Sequence, residues 1–219
     1  VLLWIDGIVS ALNLDVDVSE PDISPLAIQG PKSEILASKL FGSKIKKLKF
    51  FDIENFKFEG QELLIAKSGY SKQGGYEIYV TSPKIAVKLW DTLFEEGKAL
   101  NVRAGCPNLI ERIEGGLLSY GNDMTIKDTP FECGLEKFLP KIVSKECISA
   151  ESLNSNEIRC PKKIIKSLSI DCENKIYCEN VWNVVNDKNN VIGQITSGAF
   201  SPDQNKIVAL GMINKDFLN

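Results

Sequence analysis

From Ile164 to Ile213 the chain offers only strand signals, and that run constrains the fold more than any other feature. Four short pieces, "IIKSLSID", "KIYCENVWNVV", "NVIGQITSGAF" and "KIVALGMI", are rich in β-branched residues and carry no helical period. The turn "NDKNN" separates two of them. Strands this short and this closely joined pair antiparallel. Residues 164–213 are therefore predicted to form a small barrel-like or sandwich-like unit.

Ahead of that run the periods are mixed. "VLLWIDGIVSALNLD" reads as the end of an amphipathic helix. "DVDVSEPDISPLAIQG" reads as two extended pieces broken by Pro21 and Pro25. "PKSEILASKLFG" has helical spacing at Ile35, Leu36, Lys39 and Leu40, with Pro31 suited to the first position and Gly42 to the C-terminal cap. Phe56 and Phe58 alternate with polar neighbours in one strand candidate, and "ELLIAKSG" is the next. In "YEIYV", Tyr76, Ile78 and Val80 point to one face, while Glu77 and Tyr79 point to the other. The first set suits a covered core. The second belongs at a solvated edge or in a polar pocket.

Residues 83–98 carry a stripe of Ala86, Leu89, Trp90, Leu93, Phe94 and Gly97, which predicts an amphipathic helix. A second helix is predicted from Asn108 to Ser119, with Leu109, Ile110, Ile113, Gly116 and Leu117 inward and Arg112 on the polar side. "YGNDMTIKDTPFECG" reads as irregular, and 145–163 as a polar linker or domain junction. The fold class is α+β, with an α/β body over residues 1–145 and a small antiparallel β-barrel-like domain over 146–219.

With 219 residues, 43% of them hydrophobic and 25% charged, the chain buries a substantial core. A net charge of −3 provides no general field for nucleic acid or an anionic membrane, so neither is expected as a partner. The run Lys44, Lys46, Lys47 and Lys49 reads as a solvated edge or loop. No apolar run approaches the roughly 20 residues that span a bilayer, and no secretion signal is visible. The expectation is a cytoplasmic protein with free thiols at Cys106, Cys133, Cys147, Cys160, Cys172 and Cys178, none of which forms a CxxC pair. No metal site is expected. Histidine is absent, which removes His-dependent triads and the commonest general base. Chemistry here rests on carboxylates, Tyr, Lys, Cys or the substrate's own reactivity.

Four stretches carry a resemblance in order along the chain. "LAIQGP" (26–31), "SGYSKQGGYEIYV" (68–80), "RIEGGLLSYGND" (112–123) and "TSGAFSPDQNKIVALGMI" (196–213) resemble the folate-dependent aminomethyltransferase superfamily, which includes the glycine cleavage T-protein. The corresponding family patterns are similar to "LALQGP", "GYTGEDGFEI", "RLEAGLCLYGND" and "TSGTFSP". "SKQGGYEIY", "GCPNLIERIEGGLLSYGND" and "PFECG" resemble its dimethylsulfoniopropionate demethylase branch. Lys72, Gln73 and Gly74 stand where the T-protein has its acidic loop, and Asn108 stands near the place of a T-protein arginine.

The resemblance implies a three-part fold around tetrahydrofolate as cofactor. It implies that the family's N-terminal region precedes this sequence. The chain alone is then expected to be inactive and to expose apolar surface near Leu2, Leu3 and Trp4. It matches Glu77 to the pterin-binding glutamate, with Tyr79 and Tyr70 contributing ring packing and hydroxyl contacts. A carboxylate accepts the paired N–H groups of an amino-pyrimidinone edge in a charge-assisted, orienting arrangement. Tyr70 is also the candidate ring against a sulfonium substrate. The branch is expected to carry Trp there, so Tyr adds a hydroxyl. Gln29 is placed either near the pocket or as a brace for turn backbone. Arg112 and Glu114 match the family's R-x-E, and a surface salt bridge accounts for them equally. The implied reaction moves a methyl group from dimethylsulfoniopropionate to tetrahydrofolate with no catalytic side chain, because a sulfonium carries its own activation. Aminomethyl transfer of the glycine cleavage type and non-catalytic folate binding are the alternatives. A homodimer is left open.

Overall fold

Alternation along four short strands builds the first sheet. Strands β1 (Ser24–Gln29), β2 (Ile53–Phe58), β3 (Gln61–Ala66) and β4 (Gly75–Val80) pair antiparallel in the order β1-β4-β3-β2. One face is covered by helices α2 (Ser33–Phe41) and α3 (Pro83–Gly97). Tyr76, Ile78 and Val80 point into that core with Phe56, Phe58, Leu63 and Ile65, against Leu36, Ala37, Leu89 and Leu93. The opposite face carries Glu77 and Tyr79, as the alternation predicts.

Three expectations for this region need correction. Pro25 does not break the chain but sits inside β1, an edge strand, where one missing N–H leaves no interior ladder position empty. Pro31 lies before helix α2, whose N-cap is Lys32, while Gly42 ends that helix at φ +80°. The stripe on α3 is wider than its buried part: Leu89, Leu93 and Gly97 are buried, but Trp90 stays exposed and packs on Phe94 at 4.8 Å. Helix α1 (Leu2–Ala11) buries none of its residues, and Leu3 and Trp4 are exposed. The basic run forms a short 3-10 turn that buries Ile45 and turns Lys44 to Glu54 at 2.6 Å.

The computed structural model describes residues 1–172 and 180–218 and divides the chain into two units. The first holds Val1–Gly69 and Gln73–Gly105. The second holds Tyr70–Lys72 and the chain from Cys106 onward. In the second, β5 (Lys163–Ile170), β6 (Trp182–Val185), β7 (Val191–Ser201) and β8 (Lys206–Asn214) form an antiparallel sheet in the order β5-β8-β7-β6. Part of the predicted strand "KIYCENVWNVV" lies outside the described residues, and its later part is β6. No helix occurs among the described residues between β5 and β8.

Helix α4 (Leu109–Glu114) is shorter than predicted. Gly115 and Gly116 end it, the latter at φ +66°, where only glycine is free of strain. Leu109, predicted to face inward, is exposed, while Ile113 packs on Val208 and Leu210 of β8. The expected linker holds two short helices, α5 (Ala150–Asn154) and α6 (Asn156–Arg159). The Asn154 amide accepts from Val143 N–H and donates to Val143 C=O, both at 2.9 Å. Polar side chains thus close backbone turns there, which is why no apolar period betrays them. The five described cysteines are free thiols, and Cys178 lies outside the described residues. Among the described residues no helix is long and apolar enough to cross a membrane.

Candidate functional site

The open face of the first sheet is low where Glu77 stands. Its cross-strand neighbours are Ala27 on β1 and Ala66 on β3, so two methyl groups flank the carboxylate. Tyr79, two residues on, lies between Pro25 and Leu64. Glu77 and Tyr79 are half-buried. The result is a shallow apolar floor holding one carboxylate and one phenol side by side.

The segment leading into β4 fixes that carboxylate. Ser68 Oγ donates to Glu77 Oε2, while Oε1 accepts no hydrogen bond among the described residues. Gln29 Nε2 donates to the Ser68 carbonyl at 3.0 Å. The Gln29 amide is wedged against two glycines. A Cβ on Gly69 would lie 2.1 Å from Gln29 Oε1, and one on Gly75 would lie 2.1 Å from the Ile28 carbonyl. Close backbone approach at Gly75 therefore requires glycine, while at Gly69 the Gln29 side chain fills the space a Cβ would take. Gln29 acts on Glu77 through Ser68, which carries the bracing role the sequence allowed it. Ser68 itself had no sequence-level role, because a serine before a Gly-rich turn is ordinary turn composition.

Tyr70 groups with the second unit. Its hydroxyl donates to the Leu118 carbonyl at 2.6 Å, and the ring is about one-third exposed, at 38%. Lys72 Nζ lies 3.3 Å from Glu114 Oε2. Glu114 Oε1 accepts from Ser201 Oγ at 2.5 Å, and this hydrogen bond, foremost, holds the Glu114 carboxyl below the usual range.

Arg112 corrects the sequence reading most sharply. It is not on a polar helix face, and it makes no salt bridge with Glu114. It is buried, with Nη1 donating to Asp123 Oδ2 at 2.8 Å and to the Leu117 carbonyl at 3.1 Å, and Nη2 donating to Ser197 Oγ at 2.7 Å. Asp123 Oδ1 accepts from both Thr196 Oγ1 at 2.7 Å and Ser197 Oγ at 2.6 Å. Consecutive strand residues ordinarily face opposite ways. A bulge in β7 between Ile195 and Ser197 lets both hydroxyls reach one carboxylate. Both buried charges here, Arg112 and Asp123, are paired and hydrogen-bonded, as burial demands. "YGND" shapes this region as a turn, with Asp123 N–H on the Ser119 carbonyl at 2.8 Å, while Tyr120 is exposed. Asn108 caps α4, its Oδ1 accepting from Ile110 N–H at 2.8 Å. A cleft of about 380 Å³ in this unit is lined by Asp123, Lys163 and Thr196 among others, and includes none of Glu77, Tyr79, Tyr70 or Gln29.

The family model for the GCVT N-terminal domain matches residues 1–141, and the one for the glycine cleavage T-protein C-terminal barrel domain matches residues 167–219. The chain belongs to the glycine cleavage T-protein family. Within that family it is 43% identical over 212 residues to the dimethylsulfoniopropionate demethylase DmdA of Ruegeria pomeroyi, covering 95% of this chain and 56% of that one. It is 31% identical over 222 residues to an aminomethyltransferase of Thermoanaerobacter pseudethanolicus, covering 98% and 58% respectively. In structure it matches the glycine cleavage system aminomethyltransferase T of Bartonella henselae with a TM-score of 0.78 at 24% identity, over 98% of this chain and 58% of that one. That likeness bears out the T-protein-like α+β fold. This T-protein family chain spans less than three-fifths of the length of the curated relatives it matches.

Proposed function

We propose that this chain is part of a tetrahydrofolate-dependent methyltransferase that demethylates dimethylsulfoniopropionate. The observation that carries the reading is the Glu77 carboxylate, anchored by Ser68 on a low floor between Ala27 and Ala66. The residues fit a pterin. A flat ring lies over alanines without displacing a side chain, and a carboxylate oxygen keeps acceptor capacity for its N–H edge. Tyr79 supplies an aromatic neighbour on the same floor.

When bound, tetrahydrofolate would supply the N5 lone pair that takes the methyl group, with the carbon–sulfur electrons returning to sulfur and the N5 proton released to solvent, giving 3-(methylthio)propanoate and 5-methyltetrahydrofolate. The chain's own part is orientation. Glu77 fixes the pterin edge, Ser68 and Gln29 fix Glu77, and Tyr70 offers a ring face to the sulfonium cation. Positioning of this kind contributes about 7–11 kcal/mol in favourable cases, and one aromatic face about 0.5–2 kcal/mol. No side-chain nucleophile is required, which suits a chain without histidine.

Similarity at 43% to the demethylase against 31% to the aminomethyltransferase supports the sulfonium substrate over an aminomethyl one. Asn108, standing near the place of a T-protein arginine, supports the same choice. A cytoplasmic location, a homodimer and a domain division near residue 145 belong to this proposal. The test is proton NMR of the enzyme with dimethylsulfoniopropionate and tetrahydrofolate. Appearance of 3-(methylthio)propanoate is expected. Methylene transfer from a glycine-derived donor, with the sulfonium untouched, overturns the reading in favour of aminomethyl transfer.

A further inference from the structure

We propose that Lys72, Glu114 and Ser201 are positioning residues that, with the Tyr70 hydroxyl, form a latch helping to hold the loop 70–72 and so the Tyr70 ring. The inference rests on the reading of Tyr70 as a substrate-facing ring. None of the three loop side chains is buried, so apolar packing does not hold the loop in place. Polar contacts with residues distant in sequence contribute to holding it. At one end the Tyr70 hydroxyl donates to the Leu118 carbonyl at 2.6 Å. At the other, Lys72 Nζ meets Glu114 Oε2 at 3.3 Å.

Both anchors are rigid from behind. Leu118 follows Leu117, whose carbonyl is taken by the buried Arg112 guanidinium at 3.1 Å. Glu114 ends helix α4 with its side chain only 10% exposed, and Ser201 occupies its other oxygen at 2.5 Å. The Glu114 carboxylate therefore presents a single oxygen to Lys72 in one orientation. The loop is short, and its far flank is Gly74 at φ +75°, a position open to many conformations once the tethers are cut. Tethers at both Tyr70 and Lys72 restrict rotation of the ring more than either does alone.

The experiment compares Tyr70→Phe, Lys72→Met and the double variant with wild type by amide hydrogen exchange across residues 70–74. Each single variant is expected to raise exchange about threefold and the double variant about tenfold, consistent with one hydrogen bond and one exposed ion pair. Lys72→Arg should restore near-wild-type exchange, which a merely structural lysine stem would not require. Titration with dimethylsulfoniopropionate then follows ligand affinity, expected to fall in step with the loss of loop order. Unchanged exchange in the double variant overturns the latch. Faster exchange with unchanged affinity, where Tyr70→Ala does lose affinity, overturns its positioning role. If Tyr70→Ala itself leaves affinity unchanged, the reading of Tyr70 fails, and the exchange rates decide the latch separately.

Discussion

Glu77 is held by one donor on one oxygen, which makes its substitution informative. Glu77→Gln keeps the shape but replaces an anionic acceptor with an amide that turns a donor toward one of the pterin N–H groups. Loss of a charge-assisted hydrogen bond costs about 1.5–3 kcal/mol, or roughly 10- to 150-fold in tetrahydrofolate affinity. Tyr79→Phe should cost less, because the ring and its place between Pro25 and Leu64 remain. Calorimetric titration of both variants checks the order of effects. Equal binding by Glu77→Gln would reduce the carboxylate to a strand-surface residue. Tyr76, on the covered face, behaves differently. Its hydroxyl is buried near the Glu34 carboxylate but makes no hydrogen bond of regular geometry among the described residues, and burial first, then Glu34, raises its phenol above the usual value. Tyr76→Phe removes an unsatisfied group and should leave stability unchanged or raise it by up to about 1 kcal/mol, read from urea unfolding.

At the scale of elements, the β1–β4 junction and helix α4 are the points of tightest constraint. Gly75→Ala would drive a Cβ into the Ile28 carbonyl, a backbone atom that cannot swing aside. Weakened β1–β4 pairing and a lower melting temperature are expected, whereas at Gly69 the obstructing atoms belong to the Gln29 side chain and the loss should be smaller. Arg112→Met strands the Asp123 carboxylate in a buried site, at about 3–5 kcal/mol of stability by analogy with other broken buried pairs, measured by denaturant titration. A second ion pair ties the 125–132 loop to β5 and imposes a pH window. Lys163 Nζ lies 2.7 Å from Asp128 Oδ1, which lowers the Asp128 carboxyl and raises the Lys163 ammonium. The lowered Asp128 contributes stability above its unfolded value of about 3.9, lost as pH falls through its folded value. The raised Lys163 contributes below about 10.4 and is lost as pH rises past its folded value. Lys163→Met should therefore lower the unfolding midpoint at pH 7, by a margin that shrinks as pH falls through the folded value of Asp128.

At the scale of the whole molecule, the placement of helix α4 decides how the chain can be divided. Ile113 covers Val208 and Leu210, and Arg112 reaches Ser197 across 85 positions of sequence. Expressed from residue 106 onward, the second unit should unfold cooperatively. Expressed from residue 146, it loses both the apolar cover and the guanidinium, and should unfold at a clearly lower temperature in calorimetry. Equal melting of the two would show that the C-terminal sheet holds its own core, and would support a boundary near 145.

What the chain declares locally is what periodicity and turn chemistry can encode. The strand character of 164–170 and 191–213, the amphipathic stretch beginning at Pro83, and the two faces of "YEIYV" were all legible, because backbone geometry sets those periods residue by residue. Ordered motifs carried the family. The early end of helix α4, the bulge at Thr196 and the interior place of Arg112 were not legible. A charged residue beside a glutamate reads as solvated, since an unpaired buried charge is too costly to assume. Only the fold brings Asp123, Thr196 and Ser197 to the guanidinium and turns that assumption around. The same holds for Tyr70 and Lys72: their types were visible, but their anchors lie more than 40 positions away, and contacts across such distances are decided by packing rather than by any local period.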